Sequence, residues 1–224
     1  MMRPTAVIST VIVKATSYDL AKIADIKTLF NITDTANDAA LALMITRASA
    51  AAQNYCNNAF VVETIKDQFY PGSDGFPWTV KYDFDLLQLT RWPVVTISSL
   101  VETIGGVVTT LVEGTDFIDD SSLGQLTRLN TYAGAPATPY EPTVWRSNPV
   151  TVQYTAGFSP IPLDVADAVE IIVKGKYYGQ TRDPMLRSEN VPGVLSTAWF
   201  AVDGNGMPYE AVSKLSQYRV PVIA

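Results

Sequence analysis

The chain of 224 residues has no histidine and a single cysteine, Cys56. Those two absences exclude histidine-based triads, His/Cys zinc sites, histidine-ligated haem, iron–sulfur clusters and any internal disulfide. No apolar run reaches the roughly 18 residues that a membrane-spanning helix needs. The beginning carries one basic residue and then a weak apolar stretch at residues 7–13, too short for a signal peptide and better read as an edge strand or extended arm. Basic residues are few and scattered singly: 16 Lys and Arg against 22 Asp and Glu leave a net charge of −6. Specific DNA binding concentrates Lys and Arg to displace counterions from phosphate, and no such patch is visible. An acidic surface is still compatible with DNA passing close by without sticking.

Carboxylates are the remaining groups with catalytic potential. Asp83 with Asp85, and Asp116 with Asp119 and Asp120, have the spacing of a glycosidase pair or a hard-cation site. Acidic pairs that flank strands are more often solvated ends or turns. Asp203-Gly-Asn-Gly206 has the first residues of a calcium loop but lacks the remaining acidic ligands, so a plain turn is the simpler reading. Gly105-Gly106 is not followed by Lys-Ser/Thr, and Lys174-Gly-Lys176 lies inside a helical stretch, so there is no phosphate-binding glycine loop. Trp78, Trp92, Trp145 and Trp199 fall near turns, where they serve as core lids or interface anchors more often than as sugar-stacking platforms. Cys56 closes an apolar helical stripe and reads as a buried structural thiol. No catalytic, cofactor or metal site is assigned.

What is present is clear punctuation. Residues 23–30 read as a short helix with Ile26, Leu29 and Phe30 on one face. Asn37 then offers an N-cap to a second helix, along which Leu41, Met44, Ile45, Ala48, Ala52 and Tyr55 recur at three- and four-residue spacing. The low bulk of residues 48–52 permits close approach of another helix, and Asn57-Asn58 ends the segment. From residue 61 the texture turns β-branched and aromatic, with Ile65 and Phe69 on a shared face. Strands are expected at residues 86–89, 94–104, 107–112, 117–118 and 125–129, with Gly105-Gly106 as a two-residue hairpin turn. Residues 130–148 hold three prolines and read as an irregular loop. Val150, Val152 and Tyr154 alternate with Thr151, Gln153 and Thr155. Gly157, Pro160 and Pro162 break that strand, and Asp164 and Asp167 open a helix over residues 163–178. Residues 181–206 read as loop, residues 207–218 as a last helix, and residues 219–224 as an extended apolar tail.

This order of segments resembles the head–tail connector, or adaptor, proteins of tailed bacteriophages. Tyr18-Asp-Leu-Ala-Lys-Ile-Ala-Asp-Ile-Lys-Thr-Leu-Phe is similar to the family's opening helix, and Asn37-Asp-Ala-Ala-Leu to Tyr55-Cys56 to its second. Leu89-Thr-Arg-Trp-Pro-Val-Val resembles its strand–Arg–x–Pro–strand corner, and Val150-Thr-Val-Gln-Tyr with the following Pro-x-Pro and helix resembles its last strand-to-helix splice. The likeness covers about residues 17–182 and the last helix, and departs from the family where Gly179-Gln-Thr precede Arg182.

The resemblance implies an α+β fold: a small antiparallel helical bundle made by the N- and C-terminal helices, with an inserted β-rich, sandwich- or barrel-like region. The expected division is a helical scaffold of residues 17–58 and 163–218, a β-rich insertion at 59–157, an N-terminal arm at 1–16 and an extended tail at 219–224. It also implies a non-enzymatic virion protein, without cofactors or a membrane partner, at the head–tail interface. There it would form a homo-oligomeric ring, commonly of twelve copies, beneath the portal protein and above a tail or neck-completion protein, with DNA passing through the lumen. Val220, Pro221, Val222, Ile223 and Ala224 are the expected portal or oligomer contact. Two rival classes fit parts of the sequence: a β-rich host-attachment module binding glycan through its tryptophans, and a carboxylate-based hydrolase.

Overall fold

The computed structural model describes residues 6–70, 86–129, 142–143, 145, 149–179, 188–191, 195–198 and 206–220. The architecture is α+β, with antiparallel sheets and four α-helices among the described residues. The chain divides into two compact units, each built from two separated stretches: residues 1–15 with 62–158, and residues 16–61 with 159–224.

The first unit is β. Its main sheet has five antiparallel strands in the order β1-β2-β9-β4-β5, namely Ala6–Val13, Glu63–Tyr70, Val150–Ala156, Val94–Ile104 and Val107–Thr110. A second sheet orders β3 (Leu86–Gln88), β7 (Gln125–Leu129) and β6 (Phe117–Asp120), with the short β8 (Pro142–Thr143) paired to β7. Both sheets contribute to one core containing Ile65, Phe69, Leu89, Leu100, Phe117, Leu126, Trp145, Val152 and Tyr154. The alternation read at Val150, Val152 and Tyr154 is the buried face of β9, which pairs with β2 on one side and β4 on the other. Gly105 and Gly106 adopt φ of +56° and +85° and join β4 to β5, backbone angles that a two-residue hairpin turn requires and glycine supplies without strain.

The second unit holds α1 (Ile23–Leu29), α2 (Asp38–Cys56), α3 (Leu163–Tyr178) and α4 (Tyr209–Leu215), the last extended by a 3-10 turn at Ser216–Tyr218. The unit also contains the two-stranded hairpin β10 (Ser188–Val191) and β11 (Leu195–Ala198). Helix α2 packs on α3, and α3 on α4. The apolar stripe of α2 buries Leu41, Ile45, Ala48, Ala52 and Cys56, and α3 answers with Val165, Ala168, Val169, Ile172 and Val173. Ser49 is the polar member of the α2 stripe, and its hydroxyl accepts the amide of Leu20 at 2.9 Å. Asn57 ends α2 in the left-handed conformation at φ +48°, with its amide bonded back to the Asn54 carbonyl, a standard stop for a helix.

The structure decides several sequence expectations. Residues 6–13, read as an edge strand or extended arm, form the edge strand β1, because their uncharged β-branched run pairs with nearly the whole of β2. Residues 188–198 lie in a segment read as loop, yet they include β10 and β11, around the turn-favouring Pro192-Gly193 of the sequence. Pro142 and Thr143, inside the supposed irregular loop, pair with β7; proline is tolerated there because the strand is short and at an edge. Asn37 does precede α2 but makes no side-chain cap; instead Asp38 in the first turn pairs with Lys27 at 2.7 Å.

The close α2–α3 packing has a direct consequence. Ala52 is fully buried, so Ala52→Leu overpacks the helix contact and should cost about 1–3 kcal/mol. Urea unfolding should show a lower midpoint at an unchanged m-value.

Candidate functional site

The densest polar chemistry in the described residues lies inside the β unit, where strand β2 buries one face completely. Its alternation places Glu63, Ile65, Asp67 and Phe69 inward. Ile65 and Phe69 are the apolar pair legible in the sequence; Glu63 and Asp67 have the same parity and were missed. The signal was available, since the period of two that buries Ile65 and Phe69 must bury both carboxylates as well.

Asp67 is fully buried and held by three donors. The Thr90 amide donates to Oδ2 at 2.8 Å, the Thr90 hydroxyl to Oδ1 at 2.9 Å, and the Tyr154 hydroxyl to Oδ2 at 2.7 Å. The Tyr154 oxygen in turn accepts the Arg91 amide at 3.1 Å, and Thr90 Oγ1 lies 2.9 Å from Ser9 Oγ on β1. Burial, reinforced by the Asp67 charge, pushes the Tyr154 hydroxyl well above its ordinary pKa. Tyr154 therefore stays protonated and serves Asp67 as a donor, not as a base. The network fixes the corner at residues 90–93, where the Trp92–Pro93 peptide is cis. The same corner is strapped to the next turn by the Leu89 amide on the Gly124 carbonyl at 2.8 Å and the Val94 amide on the Ser121 carbonyl at 2.7 Å. Gly124, at φ +65°, has no room for more: a Cβ there would sit 3.0 Å from Trp92 Cβ.

A second, partly buried network centres on Arg128 of β7. Its guanidinium faces Glu102 at 3.6 Å and Asp116 at 3.7 Å, donates to the Asp116 carbonyl, and stands 5.9 Å from the Trp145 ring centre. Trp145 is itself buried, with its indole N–H donating to the Leu126 carbonyl at 2.9 Å.

The acidic residues singled out in the sequence thus act on backbone turns. Asp116 accepts the Val112 amide at 2.8 Å, and Asp119 accepts the Ser121 hydroxyl. Asp120 accepts the Ser122 hydroxyl and the amides of Leu123 and Ser122, bonds that hold its carboxyl below the usual range. The Asp119 charge raises the Glu113 carboxyl. These groups stabilise the 112–124 turns and converge on no common point. Asp83, Asp85, Asp203, Trp78, Trp199, Pro221, Val222, Ile223 and Ala224 lie outside the described residues. Val220 is described: its amide donates to the Cys56 carbonyl at 2.8 Å, and Arg219 stacks over Tyr55 at 5.5 Å. The Cys56 thiol is buried, donates to the Leu215 carbonyl at 3.5 Å, and is pushed up to about 11 by burial against the opposing effect of Arg219. It is an inert core thiol. On the helical unit, Leu29, Phe30 and Ile171 line a groove of about 260 Å³ edged by Glu170, Lys174 and Glu210. Burial first, then the charges of Asp167 and Asp25, raise the Glu170 carboxyl.

The Asp67 clamp predicts an alkaline weakness. Above pH 10, the ordinary tyrosine value, the unfolded chain loses a Tyr154 proton that the folded chain keeps, so stability falls as pH rises, by about 1.4 kcal/mol per pH unit. Tyr154→Phe should remove that part of the slope and, at neutral pH, cost about 1–3 kcal/mol by taking a donor from a buried carboxylate. Denaturant titrations of both proteins from pH 7 to 11 check this.

Comparison with known proteins agrees with the architecture. Residues 20–89 match the family model for the phage gp6-like head-tail connector protein. No curated protein matches the sequence. Among solved structures, the chain is similar to a protein in the neck of an empty gene transfer agent particle computed with C6 symmetry, at 19% identity and a TM-score of 0.53. It is similar at 18% identity to one in the native neck computed with C12 symmetry, TM-score 0.52, and to one in the native virion, TM-score 0.53. Each alignment covers 97% of both chains. From α1 to the corner that follows β3, then, this chain carries the sequence pattern of the phage gp6-like head-tail connector family, in a fold shared along nearly its whole length with neck proteins of a phage-like particle.

Proposed function

We propose that this chain is a structural protein of a virion neck, a head–tail adaptor that forms a ring beneath the portal and continues the DNA channel toward the tail. The observation that carries the reading is the family match over α1, α2 and β2, set in a fold that follows neck proteins over 97% of the chain. The necks of that fold were computed with six- and twelvefold symmetry, which supports a ring of twelve copies here. Within it, the helical unit is the scaffold and the β unit the insertion. The net charge of −6 suits a channel past which DNA must slide without binding. The protein works without catalysis: Asp116, Asp119 and Asp120 are occupied by turn amides and hydroxyls. The glycan-binding alternative loses one of its tryptophans, since Trp145 is a core residue bonded to Leu126.

Residues 219–224 form the contact with the portal in this reading. Arg219 and Val220 anchor to Tyr55 and Cys56, which leaves Pro221, Val222, Ile223 and Ala224 to reach the neighbour. Deleting residues 221–224 keeps that anchor, so the truncated protein should retain its thermal midpoint while losing attachment to portal-bearing heads. Co-sedimentation with purified heads, followed by electron microscopy, reads this directly. Undiminished attachment would remove the tail from the portal interface.

A further inference from the structure

A ring closed by rotation joins two different patches of each subunit, one on either side. Resting on the ring reading above, we propose that these patches are the two edges of the five-stranded sheet, so that the tip of the β4–β5 hairpin of one copy packs against β1 of the next. The two edges lie on opposite sides of one rigid sheet, four strand steps or roughly 19 Å apart. Both are apolar and exposed. At the hairpin tip Val107 and Val108 are 67% and 66% exposed, and Ile104 beside the turn is 50% exposed. On β1, Ile8 is 52% and Val13 58% exposed, with Val7 and Ile12 nearly as open. Residues 5–13 and 103–112 contain no charged side chain and no proline. Soluble proteins normally guard such edges with lysine, proline or a covering element, so two uncharged apolar ones in the same sheet call for cover.

Charge selects the occupant. A chain with net charge −6 repels its own copies, and like charges set face to face at an interface cost several kcal/mol. A contact between copies must therefore be drawn from uncharged surface, which these two edges supply, whereas a basic partner would be met by acidic side chains. Sheet twist decides the mode. Four steps at about 20–25° turn β5 by roughly 80–100° from β1, while neighbours in a twelvefold ring differ by one-twelfth of a turn, about 30°. A continuous sheet would wind away from the ring, so the contact is side-chain packing and not strand addition.

The test uses the single buried native thiol as a silent background. The full-length double variant Ile8→Cys/Val108→Cys is treated with a short bifunctional maleimide, alongside each single variant, and the same samples are imaged by electron microscopy with portal-bearing heads. A covalent ladder extending to the full ring in the double variant, with monomer alone in both single variants, is the expected result. Rings without a ladder would overturn the edge-to-edge contact while leaving the ring reading intact. Dimers from a single variant would mean an isologous contact and would also overturn it. The absence of rings under any condition would overturn both. Thermal midpoints equal to that of the unmodified chain show that the exposed substitutions left the fold unchanged.

Discussion

The buried carboxylate of Asp67 is the constraint on which the β unit depends. Placing a charge-bearing group in the core costs several kcal/mol unless donors surround it, so the fold that satisfies Asp67 is strongly preferred over those that do not. Its donors come from Thr90 at the corner and Tyr154 on β9, residues 23 and 87 positions away in sequence. Satisfying one side chain thus fixes the approach of three separate stretches. It also fixes register. A one-residue slip of β2 would bring Lys66 and Gln68 inward and turn Ile65 and Phe69 out. The Arg–x–Pro corner that resembles the connector family acquires a physical meaning here, since both amides leading into it, Thr90 and Arg91, are spoken for by this network.

The helical unit is held by a different principle. Its core is apolar, with Ala48, Ala52 and Ala168 fully buried and the Ser49 hydroxyl satisfying the Leu20 amide. Both units are assembled from chain segments distant in sequence: β9 must find β2 and β4, and α3 must find α2. Such long-range pairings demand loop closure before contacts repay it. A specific polar clamp in one unit and close small-residue packing in the other both make those late encounters selective.

The sequence disclosed what depends on local periodicity. The α2 stripe, the alternation of β9, the glycine hairpin and the helix opening at Leu163 are all where the pattern places them, because each buries a face whose period survives in the residue order. It concealed what depends on partners. Strands β10 and β11 have too little apolar contrast to stand out from a loop, and at β1 the residue order leaves edge strand and extended arm both open until β2 offers a ladder. Asp67 was the most consequential miss. Charged residues in an alternating strand are assigned by habit to the solvent face, yet Asp67 shares its parity with Ile65 and Phe69. Once those two were placed inside, geometry left it no other side. The carboxylates that drew attention, Asp116, Asp119 and Asp120, were conspicuous by clustering, which in a β protein marks turns that need amide acceptors.

The placement of the polar chemistry bears on what kind of part this chain is. An enzyme keeps strained or desolvated polar groups facing a space where substrate can enter. Here the buried acids of the β unit are turned toward hydroxyls, amides and a guanidinium, and the one hydroxyl with a strongly raised pKa, Tyr154, is committed to Asp67. The surface of that unit shows the reverse economy: among the described residues, uncharged apolar side chains are exposed on β1 and at the β4–β5 hairpin, at the two edges of one sheet. The proposed neck role suits that division, with directional bonds locking the interior and non-directional apolar contact left for assembly. In the proposed twelvefold ring, directional bonds would make poor assembly contacts, because twelve joints would have to close together and each tolerates small errors only if its contacts are soft. Apolar packing supplies that tolerance, while the polar clamp inside the β unit keeps the sheet that carries both edges in register.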